Sequence, residues 1–109
     1  EPPNVCKKAL HFFLENKIDA IYLAGSDAYL PDFLEELRKT GLKIPDDIAI
    51  ISQDDVAIPL AADITAIKQP IMEMGKKAAE IAISAIEKND FKNMQDVIFY
   101  PELIVRKST

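Results

Sequence analysis

The chain has 109 residues, 49% hydrophobic and 28% charged, the make-up of a globular domain rather than a disordered segment. That length suits one compact α/β unit over residues 1–109 without metal or disulfide staples. Thirteen basic against eighteen acidic residues give a net charge of −5, which argues against a nucleic-acid surface on this segment, because phosphate binding needs clustered Lys and Arg.

The lone Cys6 has no second thiol for a disulfide, a redox pair or a zinc site, so a reducing, cytoplasmic setting is favoured. No apolar run reaches the roughly 18 residues of a spanning helix, and the first residues, EPPNVCKK, lack the apolar stretch of a signal peptide, so no membrane partner is expected. With no initiator Met, the chain is expected to begin inside a longer protein.

Asn4 is placed to cap a first helix running to about Asn16, with Cys6, Ala9, Leu10 and Phe13 on one face. Residues 18–24, IDAIYLA, form a nearly continuous apolar run, the pattern of a parallel strand covered on both faces. A second helix follows, with Phe33, Leu34 and Leu37 inward; Asp27 is placed to cap it, while Pro31 favours a start or kink further on. Gly41 stands where a left-handed residue closes a helix, with Leu42 able to touch Leu37.

Residues 48–52, IAIIS, predict a second buried strand, residues 56–63 a loop, and residues 64–68, ITAIK, a third strand. Pro70 opens the longest helix at its first position, with Glu73 in the first turn and Lys88 at the far end, as the helix dipole favours. Its apolar stripe is Ile71, Met74, Gly75, Ala78, Ile81, Ala82 and Ala85. Two short strands, 97–100 and 102–106, close the chain around Pro101. The order predicts a mainly parallel sheet flanked by helices.

In open α/β sheets ligands bind outside the carboxyl ends of the strands. Ser26 with Asp27, Asp54 with Asp55, and Gln69 each follow a predicted strand directly, so the fold brings them to one edge. Carboxylates accept from paired sugar hydroxyls or an amine, and an amide both donates and accepts, which makes a polyol or heterocycle site. Capping for Asp27 and turn chemistry for the acid pair are the competing readings.

Catalytic signatures are absent. His11 pairs with no serine in a recognisable motif, Cys6 lies on an apolar stripe, and Gly25, Gly41 and Gly75 build no phosphate-cradling loop. Asp27, Asp54 and Asp55 with Lys68 leave open a Mg²⁺-dependent phosphoryl-transfer reading, but the order of acids and lysine differs from that of a phosphoreceiver. No catalytic residue, metal site or cofactor is assigned.

Four segments together resemble LacI/GalR-type transcriptional regulators. GLKIPDDIAIISQDD (41–55) is similar to their GLxVPxDIxVVGFDD, TAIKQP (65–70) to TTVxQP, MGKKAAE (74–80) to LGxxAAE, and PELIVRKST (101–109) to PxxLVxRxST. The resemblance covers about residues 19–109. It implies the carboxyl-terminal part of a periplasmic-binding-protein-like type I effector domain, whose two lobes clamp a sugar or purine. Carried over residue by residue, it implies effector contacts at Ser26, Asp54, Gln69 and Ile71. It also implies a homodimer through the second helix and the 56–62 loop, for which Tyr29, Leu30, Phe33, Leu34, Val56, Ile58 and Leu60 are the apolar candidates.

The pattern departs from the family at Ser52-Gln53, which replace a Gly-aromatic pair, at the shorter 56–63 loop, and at AYLPDFL in place of MAxGxL. In relatives the helix after Pro70 packs on the other lobe; without that lobe, its stripe is expected to meet another copy, swap, or lie on its own sheet. The implied function is effector control of operator DNA binding by a domain outside this chain. The alternative is the solute-binding lobe of a sugar transport system.

Overall fold

A computed structural model describes residues 2–109, with side chains from residue 5 onward except those of residues 26 and 27. The elements run α1 (Pro2–Glu15), β1 (Ala20–Leu23), α2 (Ser26–Thr40), β2 (Ala49–Gln53), α3 (Ala57–Ala61), β3 (Thr65–Lys68), α4 (Ile71–Lys88) and β4 (Glu102–Ile104). Contacts group them into two units, Glu1–Lys68 with Glu102–Thr109, and Gln69–Pro101.

In the first unit the strands lie in the order β1-β2-β3-β4, the first three parallel and β4 antiparallel. Side chains alternate across a strand, so one face of this sheet carries Ile21 and Ile50. These pack with Cys6 and Leu10 of α1 and with Leu30, Phe33 and Leu37 of α2, joined by Ile48 and Ile64. The ring of Phe13 meets Phe33 edge-on, centroids 6.4 Å apart. Burying each such side chain contributes about 1.5–3 kcal/mol. The opposite face is more open: Tyr22 is 54% and Leu103 55% exposed. A continuous apolar run in β1 had implied cover on both faces; on the second, Thr65 is buried and Ile51 and Ile67 are half-buried, while the β1 position, Tyr22, is exposed.

Helix boundaries follow local chemistry with three corrections. The α1 helix begins at Pro2, so Asn4 lies inside it rather than capping it. The residue before α2 is Gly25, in the left-handed conformation (φ 71°), so Asp27 falls in the first turn and not at the cap, and Pro31 sits within the helix. Pro31 is the sixth helical residue, past the four whose amides lack intrahelical acceptors, so its missing amide removes one helical hydrogen bond. At the other end Gly41 (φ 78°) closes α2 as predicted, its amide donating to Arg38 O.

Residues 57–61, expected as loop, form the short helix α3 with Pro59 buried. Residues 97–100 form no strand; Ile98 and Tyr100 are exposed and only Glu102–Ile104 joins the sheet.

The second unit is α4 and the segment after it. Asn89, left-handed at φ 50°, closes α4, and Asp90 then accepts from the Lys92 and Asn93 amides and the Asn93 side chain. Those donors hold the Asp90 carboxyl below its ordinary range. Along the apolar stripe Ile71, Met74, Gly75, Ala78 and Ala82 are exposed, Ile81 is half-buried and Ala85 is buried.

Candidate effector-binding rim

The register of β1 and β2 sets Leu23 beside Ser52, and that of β2 and β3 sets Gln53 beside Ile67. The residues that leave β1 and β2 therefore emerge on one edge, where β3 ends at Lys68. On this rim stand the start of α2, at Ser26 and Asp27, and the turn at Asp54 and Asp55. The side chains of Ser26 and Asp27 lie outside the described residues. Gln69 follows β3 directly, but it and Ile71 belong to the second unit, where the Ile71 amide donates to Gln69 O at 2.9 Å and the Ile71 side chain is 59% exposed.

Asp54 is half-buried with φ 64°, a left-handed backbone that Asp tolerates better than most residues, and its amide donates to Ile67 O at 3.0 Å. Asp55 differs. Its Oδ1 is sealed from solvent and lies 2.7 Å from Nη2 of Arg106, a charge contact rather than an aligned hydrogen bond, with both side chains less than 15% exposed. The guanidinium also donates from Nη1 to Ile64 O at 2.8 Å. The two acids are thus divided: Asp55 is tied into the fold, and Asp54 marks the rim. Ser52 is fully buried and its hydroxyl donates to Gln53 O at 2.9 Å.

Sequence reasoning missed the chain terminus. Ser108 is buried; its Oγ accepts the Thr65 amide at 2.7 Å and donates to Ile50 O at 2.6 Å, while its own carbonyl accepts the Ile50 amide at 2.8 Å. The Arg106 amide donates to Thr65 Oγ1 at 2.9 Å, and the Thr65 and Thr109 hydroxyls meet at 2.7 Å. Lys107 contacts exposed Asp63 at 2.8 Å and draws its carboxyl below the usual range. The sequence signal for this segment was its family-like close, PELIVRKST, which carried no indication of the partners that Arg106, Ser108 and Thr109 take.

Of the interface candidates, Leu30 and Phe33 are 0% and 1% exposed in the chain's own core, so they are corrected from interface to core. Tyr29 and Leu60 are exposed, and Leu34, Val56 and Ile58 are half-buried. Between α2 and α3 runs an apolar groove lined by Pro31, Leu34, Ile58, Ala61 and Ala62, with Arg38 at its margin.

Reactive groups lie elsewhere. His11 is exposed and faces Glu15 at 3.2 Å. Burial, with the acidic Asp32 and Glu36 nearby, raises the pKa of the Cys6 thiol. Among the described residues no cluster of three His, Cys, Asp or Glu side chains could hold a metal ion, and no helix is long and apolar enough to cross a membrane.

Comparison with known proteins fixes the family. Residues 12–109 match the periplasmic binding protein-like domain. The arabinose metabolism transcriptional repressor of Geobacillus stearothermophilus is 45% identical over 78 residues, 70% of this chain and 21% of that protein. The ribose operon repressor of Haemophilus influenzae is 31% identical over 85 residues, 76% of this chain and 25% of that protein. A LacI-family regulator of Enterococcus faecium, solved with bound ribose, superposes with a TM-score of 0.80 at 22% identity, over 95% of this chain and 39% of that one. The chain spans about a fifth to a quarter of the length of these curated relatives. It belongs to the periplasmic binding protein-like domain family, and is the carboxyl-terminal part of an effector-binding domain of the LacI/GalR type.

Proposed function

We propose that this chain contributes one wall of the effector site of a cytoplasmic transcriptional repressor, and that the effector is a small sugar. The observation that carries this is the rim. Three parallel strands end together and set the start of α2 beside the left-handed Asp54, leaving Asp55 neutralised by Arg106. A rim whose second acid is paired with Arg106 suits a neutral, hydroxyl-rich ligand better than a divalent cation. Two relatives are named for arabinose and ribose control, which points the same way.

Ser26, Asp27 and Asp54 are the effector contacts of this wall. No chemistry on the effector is required. Sugar binding favours one arrangement of the whole regulator over another, and that preference is linked to operator binding by a domain outside these residues. The α2–α3 groove, with Tyr29, Leu34, Val56, Ile58 and Leu60, is the surface on which two copies pair.

Calorimetric titration with L-arabinose and D-ribose tests the site. Saturable binding is expected, on the order of millimolar for one wall alone, weakened at least about tenfold by Asp54→Ala with the unfolding midpoint kept. Equal affinity in wild type and Asp54→Ala would contradict the assignment.

A further inference from the structure

The structure assigns Arg106, from the far end of the chain, as the positioning residue of the rim turn. This deepens the binding reading above and rests on it for its purpose, though not for its test. A left-handed backbone at a residue other than Gly persists where surrounding contacts over-determine it. At Asp54 two such contacts flank the strained position: its own amide bonds to Ile67 O, and the next residue, Asp55, is held at 2.7 Å by Arg106.

Arg106 has its own anchors. Nη1 donates to Ile64 O, its backbone amide donates to Thr65 Oγ1, and two residues later Ser108 is buried between Ile50 and Thr65. The guanidinium therefore bridges the start of β3 and the turn that leaves β2. Because it neutralises a sealed carboxylate, its loss leaves Asp55 charged without a partner, and the least costly escape is for the turn to swing Asp55 into water. That movement carries Asp54 off the rim. Arg106 thus acts through Asp55 on Asp54, without touching a ligand, and a planar two-armed donor is needed because Nη1 and Nη2 serve different partners.

The test is residue-resolved amide hydrogen exchange on the full 109-residue chain, for wild type, Arg106→Gln, Arg106→Lys and Asp55→Asn, with L-arabinose titrated in parallel. Arg106→Gln is expected to speed exchange of the Asp54 amide at least about tenfold while the core amides of Leu30 and Leu37 in α2 hold their rates. Arg106→Lys should restore part of the protection, since it keeps the charge and loses the second arm. Asp55→Asn, which removes the charge to be neutralised, should shift Asp54 less than Arg106→Gln does. Acceleration of Asp54 and α2 by the same factor, or none at Asp54, would overturn the assignment in favour of a purely global role. If Arg106→Gln does not fold, the Lys and Asn variants decide by the same comparison. Failure of wild type to bind L-arabinose would count against the binding reading, while the exchange rates would still decide the role of Arg106.

Discussion

Asp54 and Asp55 are adjacent in sequence and opposite in circumstance, and their separation is the residue-scale basis of the site. The pair itself was legible, because two acids directly after a buried strand have no helix to cap and repel one another in a plain turn. Which acid served the fold was not legible, since the answer depends on Arg106, whose place beside Asp55 arises only when the terminus returns to the sheet. Ser108 makes the same point. Its place in PELIVRKST was legible as part of a family-like close, but that it satisfies one buried amide and one buried carbonyl was not. Ser108→Ala leaves the Thr65 amide and Ile50 carbonyl without those partners, and is expected to cost about 1–3 kcal/mol, measured as a lowered urea midpoint with unchanged slope.

Elements were read well where the apolar pattern was long and poorly where it was short. The α2 and α4 helices appear close to their expected bounds because each repeats its apolar face over four turns or more and ends on a left-handed Gly or Asn. The α3 helix was hidden: five residues, AIPLA, show no period, and Pro59 reads as a breaker although it lies in the first turn, where its missing amide is harmless. The opposite error came at residues 97–100. VIFY has strand propensity, but propensity expresses fit to a neighbouring strand, and none pairs with it there. The same short α3 supplies half of the groove proposed for pairing. Leu60 is 64% exposed, so a charge there does little to the monomer. In sedimentation velocity, wild type is expected to associate as concentration rises into the micromolar range and Leu60→Glu to stay monomeric; identical behaviour would remove the groove from the interface.

At the scale of the molecule, the first three strands and their parallel sense followed from hydrophobic runs and the polar residues that end them. A parallel sheet puts its strand ends on one side, so placing β1 and β2 placed the positions that directly follow them. The division into two units did not follow from the sequence, because Gln69-Pro70 reads equally as the start of a helix within one domain.

The central claim is that a sugar binds at the ends of β1 and β2. Chemical-shift mapping of the ¹⁵N-labelled chain during titration with L-arabinose tests it most directly. The expected result is saturable shifts concentrated at the amides of Gly25, Ser26, Asp27 and Asp54, with the α2–α3 groove unmoved. Shifts centred instead on the groove or on the far half of α4, with Asp54 still, would contradict it.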